Sequence, residues 1–445
     1  MRPWLTVALV VLLPPVASAQ GTIQEILLRA KPAVAMVVAE VGGEVTVRCG
    51  PGGEQSVRPT PFRETGTGWF VDPRGALLTN AHLVSSAHQP PAWVAKQLAE
   101  NAVQQRCPPA AQASALQTAR VKLEPSLFVI LSNGIRLPAV IAKYSPPVLG
   151  VMSGRDLALL RLEAADMPTL ALGDSAAAKI GDRLHILGFP GVVLSHELLN
   201  ASAKVEASVT NGAVSGFKQD VANQPVIQTD ASAAPGISGG PTVNDRGNVV
   251  GVLTLAPGDQ SGAVQGFNFV IPSAAVREFL KDTPVARPEP SRFNAAWHAA
   301  LRDFFAGNHP AARKHFAEAN RLLPEIPDVR RLSEENEDRI KNPPPRPFPW
   351  LVTSIAVLLV GGGAFAVYWG RRWQRNRFRI RPSEVMRLVE EAPEPPLILD
   401  VRDDQTYEKS PVRIPKSLHL TPQALEGGEA ALPVDPTRTV VAYCT

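Results

Sequence analysis

Apolar and polar positions alternate in short blocks through the first 280 or so residues. Each apolar block is three to seven residues long, rich in β-branched residues, and bounded by glycine, proline or asparagine. Blocks of this length, separated by turns, are typical of the strands of a barrel or sandwich. The pattern predicts a mainly β domain with strands at Ala33–Ala39, Gly68–Val71, Leu127–Leu131, Arg183–Leu187, Val226–Gln228 and Val249–Leu255.

One segment interrupts this strand pattern. Residues Ser86–Glu124 are rich in alanine and glutamine, which favour helix, and Pro108-Pro109 breaks the segment in two. We expect one or two short helices that emerge at the surface as an insert, residues 86–124. A lid, a docking surface and an insertion without a role are all compatible with this pattern.

The N-terminus has the pattern of an export signal. Arg2 precedes an apolar run from Trp4 to Leu13, and Ala17-Ser18-Ala19 precedes Gln20. A basic start, a short apolar core and an A-x-A site make residues 1–19 a secretory signal peptide. An uncleaved anchor is the alternative, and both deliver the following residues across a membrane.

A second apolar run, residues 350–370, is long enough to span a bilayer. Its 21 residues carry no charge, and as a helix they extend about 30 Å. Six arginines follow directly in residues 371–381, whereas the preceding side has charges of both signs. Because positive charge favours the cytoplasmic side, we expect a bacterial inner-membrane protein with its N-terminal part periplasmic and its C-terminus cytoplasmic.

The basic juxtamembrane segment 371–381 has two interpretations. Trp373 and Phe378 lie among the arginines, as in some nucleic-acid contacts, but a stop-transfer and lipid-headgroup role explains the same residues. The net charge of the chain is only +4, which gives no argument for nucleic acid. We therefore expect a membrane partner and no nucleic acid.

Residues 284–342 are expected to form an α-helical hairpin. A linker, Pro284–Pro290, comes first. The small, aromatic and proline residues after it are spaced as they are in a tetratricopeptide unit. A single unit cannot bury its own apolar face, so it should pack on the preceding domain or on a partner. A generic helical hairpin is the alternative. The matching positions are Gly307, Ala312, Phe316, Ala319 and Pro324.

The last segment, residues 383–445, resembles a rhodanese-like domain. The resemblance rests on Leu397–Arg402, Ile414–Ser417 and Thr439–Cys444, and it implies that Cys444 heads an anion-binding loop and carries a persulfide. Because one residue follows Cys444, we expect a partial α/β segment, either truncated or degenerate.

The strongest candidate chemistry lies in Gly236-Ile237-Ser238-Gly239-Gly240-Pro241. Glycines around a serine let the backbone approach a substrate and aim N–H groups at one point, as an oxyanion hole requires. An ordinary tight turn is the alternative for this motif alone. His82 in Thr79–His82 and Asp156 before Leu157–Leu160 give the order His, Asp, Ser, which is one of the known orders of a catalytic triad. The sequence therefore predicts a serine protease.

Several segments between about Lys31 and Lys281 together resemble the HtrA/Deg family of trypsin-like periplasmic proteases. The resemblance implies two six-stranded antiparallel β-barrels, with the helical insert, in residues 20–283. Departures are Ile237, where the family usually has asparagine, the insert itself, and the lack of a recognisable PDZ segment after the protease. The matching segments are Thr65–Phe70, Leu78–Val84, Asp156–Leu160, Ile227–Ala231, Pro235–Pro241 and Gly266–Pro272.

The resemblance and the chemistry of triads give each residue a role. Ser238 attacks the scissile carbonyl, His82 is the general base and then the acid, and Asp156 fixes the imidazole tautomer. The backbone N–H groups of Gly236 and Ser238 form the oxyanion hole. Triads of this kind need no cofactor or metal, and none is expected.

The resemblance also locates a substrate pocket. Trypsin-like enzymes that cleave after Lys or Arg have an aspartate six residues before the nucleophile, and this chain has Ser232 there. Thr254, Leu255 and Ala256 would form small or apolar walls. Because a basic side chain is costly to bury without a counter-charge, we expect cleavage after small or apolar residues.

Three cysteines are too few for a disulfide scaffold. Cys49 and Cys107 both lie on the exported side, where disulfides persist, and form a candidate bridge that their spacing does not fix.

The sequence leaves two classes of function open. The first is a membrane-anchored endopeptidase acting on extracytoplasmic proteins or peptides, including unfolded proteins, in quality control or signalling; a homo-oligomer stays open. The second is a membrane-tethered scaffold whose tetratricopeptide-like and rhodanese-like parts recruit partners and whose protease fold is vestigial.

The topology can be tested with a reporter that is active only in the periplasm. We expect activity when it is fused after Asn342 and none when it is fused after Arg381. The reverse pattern would contradict both the signal peptide and the charge-bias arguments.

Overall fold

The computed structural model describes residues 22–50, 53–147, 155–195, 197, 200–254, 266–285, 289–343, 349–427 and 437–444. The predicted signal peptide, residues 1–19, lies outside these ranges. The chain forms two compact units, Met1–Pro344 and Pro345–Thr445.

The first unit begins with helix α1 (Ile23–Ala30), followed by the strands of the first barrel. Going round the barrel, the order is β1-β3-β4-β7-β6-β5, every neighbouring pair is antiparallel, and β5 pairs with β1 to close it. Strand β2 extends the sheet from the outer part of β1. The strands are β1 (Val34–Arg48), β2 (Glu54–Val57), β3 (Phe62–Asp72), β4 (Ala76–Thr79), β5 (Arg120–Ile130), β6 (Arg136–Ser145) and β7 (Leu157–Leu162).

The insert lies between β4 and β5 as helices α2 (Ser85–His88), α3 (Ala92–Arg106) and α4 (Pro109–Thr118). Helices α3 and α4 cover the outer part of β1 and form a small core of their own, in which Val45 and Leu98 are buried. Cys49 and Cys107 are joined by a disulfide at the edge of this core.

The helical part of the insert is shorter than the composition suggested. Residues 120–124 belong to β5, where they pair with residues 42–46 of β1. The extension of β1 beyond the barrel offers these residues a strand partner, and this long-range pairing outweighs their local preference for helix.

The second barrel is closed in the order β10-β13-β12-β11-β8-β9. The prediction of two six-stranded antiparallel barrels is therefore confirmed. Short helices α5 (Gly191–Leu194) and α6 (Ala201–Lys204) connect β8 to β9, and α7 (Ser273–Leu280) follows the last strand. The strands are β8 (Arg183–Gly188), β9 (Ser208–Gln219), β10 (Pro225–Thr229), β11 (Pro241–Val243), β12 (Val249–Thr254) and β13 (Asn268–Pro272).

The region after the barrels contains three helices, α8 (Arg292–Phe305), α9 (His309–Leu322) and α10 (Pro327–Lys341). The predicted helical hairpin corresponds to α8 and α9, and α10 adds a third element. Trp297 and Phe316 are fully buried in a core that continues into the first barrel, and Trp297 donates its indole N–H to the Leu28 carbonyl of α1 at 2.8 Å. The helices thus cover their apolar faces by packing on the barrel domain.

The second unit begins with α11 (Trp350–Asn376), which continues beyond the predicted span 350–370 into the arginine-rich segment. The apolar part has a mean hydropathy of 2.1 and none of it is buried, so its length and composition fit a membrane span. Helix α12 (Pro382–Glu391) follows. A three-stranded parallel sheet then contains β14 (Leu397–Asp400), β15 (Leu418–His419) and β16 (Val440–Tyr443), with α13 (Asp404–Lys409) and α14 (Pro422–Glu426) between them.

A buried ion pair organises this small sheet. Asp400 accepts hydrogen bonds from the Arg402 guanidinium and from the Tyr443 hydroxyl, at 2.8 and 2.5 Å. These donors hold the pKa of the Asp400 carboxyl far below its ordinary value, the Arg402 bond being the largest cause. Cys444, next to Tyr443, is a free and exposed thiol. The rhodanese-like assignment stays a prediction.

Candidate active site

The histidine segment lies at the end of β4, at the edge of the first barrel. The strand stops at Thr79, and His82 begins a single 3₁₀ turn that runs to Val84. Asn80 is fully buried and donates its side-chain amide to the Asp156 carbonyl at 2.8 Å. This bond fixes the start of β7 against the end of β4, and so brings Asp156 to His82.

Asp156 and His82 form a closely bonded pair. One carboxylate oxygen of Asp156 lies 2.6 Å from His82 Nδ1, and the other accepts the His82 backbone N–H at 2.9 Å. The Asp156 side chain is only 2% exposed, whereas that of His82 is 18% exposed. Because an ionised carboxylate only accepts hydrogen bonds, Nδ1 carries the proton and the lone pair of the neutral ring is on Nε2. This is the tautomer that a general base requires.

Thr254 provides a third donor to the same carboxylate. Its hydroxyl lies 3.1 Å from Asp156 Oδ2, and the residue is 1% exposed. From the sequence, Thr254 is expected only in a pocket wall, and no local motif indicates the contact with Asp156. The other two expected wall residues, Leu255 and Ala256, lie outside the described residues.

Ser238 lies in the loop between β10 and β11, at the edge of the second barrel. The loop needs glycine at two positions. Gly236 and Gly239 have φ of +95° and +82°, and a Cβ on them would lie 2.5 Å from the Phe189 carbonyl and 2.1 Å from the Thr67 carbonyl. The glycines therefore allow the turn and the close approach, as the sequence predicted.

The peptide planes of this loop are held by hydrogen bonds from its surroundings. The Pro235 carbonyl accepts the Gly191 N–H at 2.7 Å, and the Ile237 carbonyl accepts the Gly240 N–H at 3.1 Å. Because a trans peptide directs its N–H opposite to its C=O, these bonds orient the N–H groups of Gly236 and Ser238. Within the described residues, neither of these two N–H groups has a protein acceptor. Both are available to a ligand oxygen.

The serine and histidine segments meet at Gly239. A Cβ on Gly239 would also lie 2.5 Å from the Thr79 hydroxyl and 3.1 Å from the Asn80 backbone nitrogen. The residue after Ser238 thus contacts the two residues at the end of β4 that lead to His82. Among the described hydrogen bonds, none joins His82 to Ser238; such bonds are often long in unliganded enzymes.

Two ionisable residues near this site, Glu64 and Tyr144, belong to no motif that would have predicted them from the sequence. Burial raises the pKa of the Glu64 carboxyl, and this is partly offset by a 2.5 Å hydrogen bond from Ser86 and by the electrostatic interaction with the His82 side chain. Burial, and then the negative charge of Asp156, raise the pKa of the Tyr144 hydroxyl. Both residues come from strands of the first barrel, so only the folded sheet brings them to the His82–Asp156 pair.

The remaining expected site residues are dispersed. Ser232 is exposed and lies three residues after the end of β10. The carbonyl of the neighbouring Ala231 accepts the Asn268 side-chain amide at 2.7 Å. Cys444 lies in the second unit, Pro345–Thr445. Among the described residues, no group of three or more His, Cys, Asp or Glu side chains is arranged to hold a metal ion.

Comparisons with known proteins match the barrel region. Residues 66–252 match the family model of the trypsin-like peptidase domain. Over 231 residues, 51% of this chain, the sequence is 29% identical to a probable periplasmic serine endoprotease DegP-like from Hahella chejuensis. It is 30% identical over 204 residues to serine protease HTR4 from Bos taurus, covering 45% of this chain. The chain spans 37% and 39% of the lengths of these two relatives.

A solved structure of the HtrA-type protease AlgW with a decapeptide is also similar, at 22% identity and a TM-score of 0.38 over 59% of this chain and 67% of that one. Residues 66–252 are thus similar to the trypsin-like peptidase domain, and the relatives that match this region are named as DegP-like and HTR4 serine proteases.

Proposed function

We propose that this chain is a membrane-anchored serine endopeptidase that hydrolyses peptide bonds of extracytoplasmic proteins with Ser238, His82 and Asp156. One observation carries the proposal: the buried, triply hydrogen-bonded Asp156 carboxylate orients His82 beside a serine loop that presents two unpaired N–H groups. A nucleophile, a base, a residue that orients the base and an anion site are the four parts that acyl transfer requires.

In the proposed reaction, Ser238 Oγ forms a bond to the scissile carbonyl carbon while its proton passes to His82 Nε2. The carbonyl oxygen becomes an oxyanion and accepts hydrogen bonds from the N–H groups of Gly236 and Ser238. His82 then returns its proton to the departing amine as the C–N bond breaks. Water attacks the resulting acyl-enzyme by the same proton transfers, releases the acid and restores Ser238.

Burial of Asp156 is important for this chemistry. The imidazolium that forms during each step lies against a carboxylate that is 2% exposed, where water screens the attraction poorly. The Thr254 hydroxyl and the His82 backbone N–H hold that carboxylate in place, and Asn80 holds the Asp156 backbone, so little reorganisation is needed as charge develops.

The membrane anchor in the proposal is α11. Its 27 residues are enough to cross a bilayer, and the arginines at its C-terminal end favour the cytoplasmic surface. This orientation places the barrels in the periplasm, the compartment named for the DegP-like relatives. The Cys49–Cys107 disulfide is compatible with that compartment.

A fluorophosphonate probe, which reacts with activated serines, tests the nucleophile. We expect wild-type protein to be labelled, Ser238→Ala to lose labelling completely, and Ser114→Ala, an exposed serine of α4, to label as wild type does. Labelling that persists in Ser238→Ala would refute the proposed nucleophile. A wild type that is folded but unlabelled would favour the scaffold with a vestigial protease fold.

The substrate pocket gives a second prediction. Because Ser232 brings no negative charge to the expected pocket floor, peptides with Val, Ala, Leu or Ile before the scissile bond should be cleaved at least about tenfold faster than those with Lys or Arg. Ser232→Asp should raise kcat/KM for basic peptides. Ser232→Asn should not, because asparagine has the shape of aspartate without its charge. A wild-type preference for arginine would show that Ser232 does not floor the pocket.

A further inference from the structure

Thr67, in the middle of β3, lies where the two barrels meet. The residue is fully buried, although its side chain is polar. Its hydroxyl donates to the Gly236 carbonyl at 2.8 Å and accepts the Phe189 N–H at 3.0 Å. Phe189 follows β8, so one hydroxyl from the first barrel binds two backbone groups of the second.

The backbone of Thr67 also contacts the serine loop. Its N–H donates to the Ser238 carbonyl at 2.9 Å, and its own carbonyl accepts the Thr79 hydroxyl at 2.7 Å. Thr67 therefore touches Gly236, Ser238 and the end of β4, from which the chain leads to His82. No other described residue hydrogen-bonds both to Gly236 and to Ser238.

These contacts bear on the conformation of Gly236. Gly236 has a φ of +95°, and a glycine has no side chain whose packing would fix this angle. Without other contacts, the peptide planes on its two sides would therefore rotate freely. The Gly191 N–H fixes the preceding plane through the Pro235 carbonyl, and the Thr67 hydroxyl fixes the following plane through the Gly236 carbonyl. The Thr67 N–H fixes the plane after Ser238.

The hydroxyl has no alternative arrangement within its surroundings. A Cβ on Gly188 would lie 2.7 Å from Thr67 Oγ1, so the side chain is closely enclosed. Its proton is donated to the half-buried Gly236 carbonyl, and it accepts a hydrogen bond from the buried Phe189 N–H. Replacing the hydroxyl by a methyl group would leave the Gly236 carbonyl and the Phe189 N–H without partners, which favours rotation of the peptide plane to find new ones.

We propose that Thr67 is a positioning residue that holds the Gly236 and Ser238 N–H groups toward the reacting oxygen. The inference rests on the proposed function, because it assigns the task of this hydroxyl in the same reaction. It acts through Gly236 and does not touch the substrate. Its loss should weaken binding of the transition state and leave binding of the substrate peptide nearly unchanged.

The test compares Thr67→Val, which keeps the shape and removes the hydroxyl, with Thr67→Ser, which keeps the hydroxyl. Thr242→Val is the matched control, because Thr242 is also fully buried in a barrel strand but its hydroxyl has no hydrogen-bond partner among the described residues. Each variant is made in the full-length protein in detergent. The measurements are kcat and KM for one peptide with an apolar residue before the scissile bond, and the affinity of a peptide boronic acid of the same sequence.

We expect Thr67→Val to lower kcat by roughly 10- to 100-fold, short of the ~10²–10³ seen when an oxyanion donor is removed outright. KM should change by less than about threefold, and boronic acid affinity should fall in parallel with kcat, because both depend on the oriented N–H groups. Thr67→Ser and Thr242→Val should stay within about threefold of wild type.

The inference would be overturned if Thr67→Val kept the wild-type kcat, or if Thr67→Ser lost as much kcat as Thr67→Val. An effect of Thr67→Val on KM alone would also overturn it. If thermal unfolding shows that Thr67→Val does not fold, Thr67→Ala is compared with Thr67→Ser, and equal kcat values would refute the role of the hydroxyl. Failure of the proposed function is distinct, since wild-type protein would then show no cleavage that depends on Ser238.

Discussion

The candidate site depends on the hydrogen-bonded junction between the two barrels. Each barrel closes on itself through its own strand pairing, so neither one alone determines where Ser238 lies relative to His82. The Thr67 N–H bonded to the Ser238 carbonyl, and the close approach of Gly239 to the end of β4, fix that relation. All the groups involved are backbone or short buried side chains, which have little rotamer freedom to lose.

Elements outside the barrels also hold the two barrels together. Helices α8 to α10 share a core with the first barrel, and Lys31, between α1 and β1, forms ion pairs with Glu206 before β9 and with Asp328 of α10. Lys31 thus links both barrels and the helices. The insert has its own core and its own disulfide, and it extends the first barrel without entering the described contacts of Ser238.

The sequence predicted the features that depend on local pattern. Strand positions follow from apolar blocks, and the special conformations of Gly236 and Gly239 follow from the absence of a Cβ. Contacts made across the sheet were not predictable. Thr67, Thr254 and Glu64 are ordinary strand residues whose roles exist only after distant strands pair. The strand at residues 120–124 arose for the same reason, since its partner in β1 is about 80 residues away in the chain.

The central claim is that Ser238 and two backbone N–H groups form one catalytic centre with His82. A crystal structure of the protein after reaction with a peptide boronic acid tests it most directly. We predict a covalent bond from Ser238 Oγ to boron, with one boronate oxygen about 2.7–3.1 Å from the N–H groups of both Gly236 and Ser238, and His82 Nε2 within hydrogen-bond reach of the adduct. A boronate bound elsewhere, or an adduct whose oxygens contact neither N–H group, would contradict the account.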